Sequence, residues 1–201
     1  MMTFRGRLAR HRLMVSCAFG LSALFILAGC QSLPKYQSAQ CLNPGPGQGD
    51  DFMLSGKLAL SDGTEGGSGR FSWHQQGSLV TAQFKAPMGQ GDWLLEETAS
   101  GARLVINDEP PYYAPRAETL IAEAVGWPVP WAALKQWIIA QPVDPGQAVI
   151  RQHEGTKSLS EMGWTIVYDR FRSDSRGCVP HRIMASKPPH SIRMVIREWQ
   201  W

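Results

Sequence analysis

Cys30 has the clearest chemistry in this chain. It closes the run Leu27-Ala28-Gly29-Cys30, in which small residues precede a thiol directly after an apolar stretch. A lipoprotein-type signal peptidase cuts before such a cysteine and leaves it as an acylated N-terminus. Arg5, Arg7, Arg10 and Arg12 lie upstream, and the apolar run from Leu13 to Leu27 is broken only by Ser16, Cys17, Gly20 and Ser22. A run this short reads as an export signal rather than a comfortable membrane span. Residues 1–29 are therefore expected to be cleaved, with Cys30 lipidated.

Other reactive residue types are present, but their spacing assembles no site. Gly66-Gly67-Ser68-Gly69-Arg70 resembles a nucleophile elbow only loosely, because Arg70 stands in place of the second glycine. Glu96 and Glu97 are adjacent in a predicted strand, so they point to opposite faces. His74, His153, His181 and His190 have no metal-ligand spacing among themselves or with Cys41 and Cys178. No phosphate-binding glycine loop occurs. The expectation is a protein that is not an enzyme, with no catalytic residue, metal or cofactor.

The chain carries a formal +3 over its 201 residues. The signal contributes four arginines and no acid, so the mature chain is +3 − 4 = −1. The basicity is an export device, and no nucleic-acid footprint remains. From Cys30 to Ile150 there are 7 basic and 12 acidic residues, against 9 and 5 from Arg151 onward. That asymmetry predicts one acidic and one basic surface. After cleavage Cys41 and Cys178 remain beside Cys30, and in an oxidising compartment these two could pair.

The elements follow from hydrophobic period. Residues 30–50, with Pro34, Pro44, Pro46 and three glycines, read as a flexible tether with a reach of about 25 Å. The folded domain is expected over 51–201. Phe52 to Leu60 alternates and turns at Ser61-Asp62-Gly63, and Gly66 to Gly69 reads as a glycine-rich connection into Arg70–His74. Leu79–Lys85, Trp93–Glu97 and Leu104–Ile106 continue an antiparallel meander. The period then becomes helical: Leu120, Ile121, Ala124 and Val125 precede a stop at Gly126, and Pro130 opens a second helix bearing Leu134, Trp137 and Ile138. Strands resume at Trp164–Tyr168, Arg182–Met184 and Ile192–Trp199. This order predicts an α+β fold, an antiparallel sheet with helices laid on one face.

Two features ask for more than a core. All eight tryptophans lie in the mature chain, on a sheet covered by only two short apolar helices. Either these residues fill an ordinary core, or they wall a lipid-sized cavity under a helical lid. Candidate wall residues are Phe52, Leu54, Leu58, Phe71, Trp73 and Phe84 on the first strands, with Leu95 beyond them. Leu120, Leu134, Trp137 and Ile138 come from the helices, and Ile166 and Met194 from the late strands. The second feature is Met88, held between Pro87 and Gly89 at a tight turn where polar residues are usual. Pattern alone favours Met88 folding back under the turn; the alternative is an apolar finger able to dip into lipid.

In combination these residues resemble the LolB family of outer-membrane lipoprotein receptors. The likeness runs from Phe52 to Trp199. It is carried by Ser55-Gly56-Lys57-Leu58-Ala59, by Arg70 to Gly77, by Ala86-Pro87-Met88-Gly89-Gln90 and by Gly126-Trp127-Pro128-Val129-Pro130. Leu134 to Ile138, Gly163 to Tyr168, Val179-Pro180 and Ile192 to Ile196 complete it. The resemblance implies an unclosed antiparallel β-barrel, a strongly curved sheet with short helices covering an apolar cavity. It implies a monomer that takes lipoproteins from the soluble periplasmic carrier LolA and delivers their acyl chains into the outer membrane. Met88 falls where the family carries a loop leucine that assists insertion, so Pro87, Met88 and Gly89 form the expected membrane-insertion loop. Gln31 after Cys30, in place of an aspartate, favours the outer membrane by analogy with bacterial sorting. A rival is an envelope lipoprotein that scaffolds other proteins with a filled core.

Overall fold

The computed structural model describes residues 51–201 other than Gln90, Glu154, Ser175 and Arg176. The expectations for the signal, for Cys30 and for the tether fall outside the described residues, as does Cys41.

The first strand, β1 (Asp51–Ser61), places Phe52, Leu54, Gly56 and Leu58 inward and Met53, Ser55 and Lys57 outward. Period-2 alternation of this kind puts one face on a core and the other in water. It is followed by β2 (Gly66–Gln76), β3 (Leu79–Lys85), β4 (Trp93–Thr98), β5 (Gly101–Ile106) and β6 (Tyr112–Ala114). Two helices intervene, α1 (Ala117–Val125) and α2 (Trp131–Trp137). The chain then forms β7 (Val149–His153), β8 (Thr156–Glu161), β9 (Trp164–Asp169), β10 (Arg172–Asp174), β11 (Gly177–Val179), β12 (Arg182–Lys187) and β13 (His190–Gln200).

Eleven strands form one sheet in the order β6-β5-β4-β3-β2-β1-β13-β12-β9-β8-β7, while β10 and β11 make a separate two-stranded ribbon. Every pairing is antiparallel. The outer strands β6 and β7 do not pair, so the barrel is unclosed. Leu95 and Leu104 from one arm share a single buried cluster with Leu159 and Ile166 from the other and with both helices. The sheet therefore curls around its helices, as the α+β reading requires.

Two sequence features shape the middle of the sheet. The β1–β13 register passes from Ser55↔Glu198 to Gly56↔Ile196, leaving Arg197 as the extra residue of a bulge. A side chain on Gly56 would come within 2.1 Å of the Val195 carbonyl oxygen, so only glycine fits there. The stretch Gly66–Gly69, expected as a connection, is instead the start of β2, paired with Leu58–Ser61. Gly69 has the same role as Gly56, since a Cβ there would lie 2.3 Å from the Lys85 oxygen.

Helix boundaries follow the punctuation. Gly126 takes φ 80, and its N–H bonds the Ala122 carbonyl to end α1, while Pro130 precedes α2. Strands β6, β7, β8, β10 and β11 were not expected. In β8 the inward positions are Lys157, Leu159 and Glu161, so the apolar alternation that marks a strand is broken. Strand β7 is exposed throughout and carries no alternation.

Candidate functional site

The concave face of the sheet and the two helices enclose the interior. All thirteen candidate wall residues are buried, from Phe52, Leu54 and Leu58 through Phe71, Trp73, Phe84, Leu95, Leu120, Leu134, Trp137, Ile138 and Ile166 to Met194. Leu58, Phe71, Trp73, Leu134 and Met194 surround a residual apolar space of about 30 Å³, together with Ile121, Val129 and Trp131. The others sit in the surrounding core. Ligand sites for small molecules are about 300–1,000 Å³, so this is a closed interior, with room for roughly one water-sized group.

The helices form a lid seated on tryptophan. Trp131 of α2 lies 4.6 Å from Trp73 of β2, Trp137 lies 5.8 Å from Trp164 of β9, and Trp127 of the inter-helix segment lies 4.6 Å from the His190 ring. Aromatic pairs of this kind add about 0.5–1.5 kcal/mol beyond their burial. Two carboxylates fasten the lid to the sheet. Oε2 of Glu97 accepts hydrogen bonds from Trp131 Nε1 and Lys135 Nζ, each at 2.9 Å. Glu161 accepts Trp137 Nε1 at 2.5 Å and the Val143 N–H at 3.0 Å, with Asp144 N at 3.3 Å on its other oxygen. A third carboxylate joins the helices themselves, as the Ala132 N–H donates to Glu118 at 3.0 Å. That bond places an anion beside the first turn of α2, where the helix dipole favours it.

Glu96 and Glu97 do point to opposite faces: Glu96 binds Arg103 at 2.5 Å on the outside, and Glu97 reaches the lid. Behind the lid, Lys157 Nζ donates to the Ala140 carbonyl at 2.7 Å, and burial lowers its pKa. Ala140 itself takes φ 57, a conformation glycine adopts at no steric cost. The Tyr168 hydroxyl is fully buried with no partner among the described residues, and burial, reinforced by the Glu161 charge, pushes its pKa well above the ordinary value.

Beside the closed interior lies a solvent-filled cleft. This cleft of about 850 Å³ has a mixed lining, with Leu60, Phe84, Pro87, Trp93, Val125 and Trp127 beside the polar Ser61, Asp62, Glu65 and Ser68. Leu60 and Trp93 line the closed interior as well, so these two side chains are the wall between it and the cleft. The β3–β4 hairpin stands at the rim. Pro87–Gly89 forms a single 3-10 turn in which Met88 holds φ 64 and is 97% exposed. The turn is tied at its base, where Asp92 accepts the Ala86 N–H at 2.8 Å and Asn107 accepts the N–H groups of Gly91 and Asp92 at 3.0 Å. Met88 therefore projects as a finger and does not fold under the turn.

The remaining candidates are dispersed. His181 pairs through Nδ1 with the Ile196 carbonyl at 2.9 Å, and Trp127 covers His190. Cys178 is disulfide-bonded; it is the only cysteine in 51–201, so its partner lies outside the described residues. The lid carboxylates Glu97 and Glu161 were not anticipated as site residues. Their partners lie 17 to 38 positions away in the chain, and no local spacing announces such contacts.

Residues 50–199 match the family model described as "Outer membrane lipoprotein LolB". The chain is 32% identical over 203 aligned positions to the outer-membrane lipoprotein LolB of Alkalilimnicola ehrlichii, covering 94% of this chain and 97% of that one. It is 30% identical to the Cupriavidus necator protein of the same name, over 89% of this chain and 93% of the relative. Against the Xanthomonas campestris pv. campestris protein, also so named, identity is 32% over 74% and 71% of the two chains.

Proposed function

The chain belongs to the LolB family of outer-membrane lipoproteins, and from that premise we propose that it accepts lipoproteins from the soluble carrier LolA and inserts their acyl chains into the outer membrane without nucleotide hydrolysis. As a member of that family it is an outer-membrane lipoprotein acting in lipoprotein localisation. The observation that carries the finer reading is Met88. An apolar side chain 97% exposed at the tip of a hairpin turn is costly in water and useful only against lipid or a partner.

Burying acyl chain is worth about 0.8 kcal/mol per methylene, so a lipoprotein's tails need shelter between carrier and bilayer. In this reading they enter through the cleft past Leu60 and Trp93 and lift the lid from the sheet. Transfer then runs down a gradient of affinity, from carrier to receptor to bilayer. Acylation at Cys30 after removal of residues 1–29 tethers the 51–201 domain through residues 30–50 to the periplasmic face of the membrane. The docking of LolA is steered by charge, so its on-rate falls as salt rises.

Met88→Glu tests the insertion step. In a reconstituted system it should slow delivery into liposomes at least tenfold while receipt from LolA is unchanged. Equal loss of both steps, or of neither, overturns the role.

The nearly filled interior, about 30 Å³, favours a second reading, a protein-binding scaffold with a fixed core. Uptake of a fluorescent fatty-acid probe separates the two. Saturable binding with displacement of the lid tryptophans supports transport, and no uptake supports the scaffold.

A further inference from the structure

Lys85 of β3, Arg70 of β2 and Lys57 of β1 stand directly opposite one another across three strands, since the register pairs Arg70 with Lys85 and Lys57 with Arg70. All three are exposed on the face of the sheet turned away from the lid. Arg193 and Arg197 of β13 join the same face, Arg197 as the extra residue of the bulge beside Gly56. Among the described residues none of the five has an ion-pair or hydrogen-bond partner, whereas Arg182 farther along the same row is matched by Asp169. Like charges directly opposite one another weaken a sheet. A row of three without counter-charge therefore marks a surface kept for something anionic.

The place of this row identifies the occupant. Lys57, Arg70, Lys85 and Arg193 line a groove of about 820 Å³ that ends at Pro87 and Met88. Its one acid is Asp92, whose Oδ1 accepts the Ala86 N–H, against four cations. Ala86 and Pro87 line both this groove and the neighbouring cleft that holds Leu60 and Trp93. The apolar finger therefore rises at the end of a cationic groove, and Lys85 sits two residues before the turn. When Met88 enters hydrocarbon, the row at its base lies at the depth of lipid phosphates. Cations flanking an apolar anchor are the pattern of interfacial membrane binding.

We propose that the outer face formed by Lys57, Arg70, Lys85, Arg193 and Arg197 binds the anionic phosphates of membrane lipid headgroups and so seats the Met88 finger in the bilayer. It rests on the insertion role given above to Met88 and adds the lipid chemistry that the role requires. An acidic protein partner would satisfy the charges alone; continuity with the apolar finger favours the lipid surface.

The test uses residues 31–201 made without the signal and Cys30, which therefore lack the acyl anchor, and the same protein with Lys57→Gln, Arg70→Gln and Lys85→Gln. Binding is measured by co-sedimentation with vesicles of phosphatidylcholine alone or with 30 mol% phosphatidylglycerol (about 0.1 M salt). Each cation is worth about fivefold in binding, so the triple variant should bind the anionic vesicles roughly a hundredfold more weakly. On neutral vesicles the two proteins should match. Removing the repulsion should leave the melting temperature unchanged or raised, which separates the effect from misfolding. Equal binding of both proteins to anionic vesicles overturns the proposal. So does a triple variant that binds vesicles normally yet no longer receives lipoprotein from LolA, because the face then belongs to the carrier. Met88→Glu keeps the two ideas apart: if it binds normally while the triple variant fails, the finger's role falls and the headgroup surface stands.

Discussion

Glu161, the last residue of β8, accepts a hydrogen bond from the indole N–H of Trp137 on α2 at 2.5 Å, with both side chains buried. The same carboxylate takes the backbone N–H groups of Val143 and Asp144, so it anchors the lid and the loop that follows it. Glu161→Ala leaves the buried Trp137 N–H without an acceptor, while the Val143 and Asp144 N–H groups lie at exposed residues, and a buried unpaired group costs about 1–3 kcal/mol. The expected loss is about 1–3 kcal/mol in urea unfolding, with Glu161→Gln losing less because it keeps one acceptor oxygen. A change within about 0.5 kcal/mol of the parent would remove Glu161 as an anchor.

Glu97 is the fastening on the opposite side, and it is less buried. Its bonds to Trp131 and Lys135 exist only while α2 lies on the sheet. Glu97→Gln removes the charge from both, and bonds to charged groups are worth about 1.5–3 kcal/mol. Opening should become easier by about 1.4 kcal/mol, which is tenfold in the open population. Stopped-flow uptake of a fluorescent fatty acid should accelerate by about that factor. An unchanged rate would mean that the lid does not gate the interior at this edge.

What could be read from the sequence was whatever declares itself locally. The alternation of Phe52, Leu54 and Leu58, the helical spacing of Leu120 and Ile121, and the stop at Gly126 each mark an element on their own. Strand β8 was hidden because Lys157 and Glu161 occupy inward positions that a strand normally gives to apolar residues. Those two residues bond the lid region, so the same function that made them polar erased the pattern. The basic face was equally invisible. It takes Lys57, Arg70 and Lys85 from the acidic part of the chain and Arg193 and Arg197 from its last strand, so the charge split along the sequence does not locate it. Met88 is the converse case: local pattern favoured a residue tucked under its turn, and only the tied geometry of the hairpin shows the side chain in solvent.

That geometry sets stability against function at Met88. Its φ of 64 lies in the left-handed region, which costs a residue with a Cβ about 1–2 kcal/mol. Met88→Gly relieves the strain and removes the apolar tip together. The variant should be as stable as the parent or up to about 1 kcal/mol more so, while delivery of acyl chains to liposomes falls as it does for Met88→Glu. Full delivery by Met88→Gly would show that the finger's bulk plays no part.

Cys178 lies in β11, within the small β10–β11 ribbon, and is disulfide-bonded. The pairing we propose is with Cys41, which would fasten the tether to that ribbon. Thiol titration of the unreduced, denatured mature protein should then find neither cysteine free. Reduction or Cys178→Ser should lower stability by about 2–4 kcal/mol, as expected for closing a long loop. Two titratable thiols would end the assignment.

Tyr168 carries a pH dependence whose sign follows from its burial. In the unfolded chain a tyrosine ionises near pH 10, but burial and the neighbouring Glu161 charge keep the folded phenol protonated well beyond that point. Above pH 10 the unfolded state therefore sheds a proton that the folded state retains, and stability falls as pH rises; below pH 10 this group contributes no slope. Lys157 has the opposite sign. Burial depresses its pKa, so the unfolded state binds more protons in the window just below 10.5, and stability rises with pH there. Tyr168→Phe removes a hydroxyl that has no partner among the described residues, so it should cost nothing at neutral pH and gain up to about 1 kcal/mol. Its stability between pH 10 and 11 should fall less steeply than the parent's, by up to about 1.4 kcal/mol per pH unit. Urea titrations across that range measure both slopes, and parallel curves would place the alkaline loss at some other group.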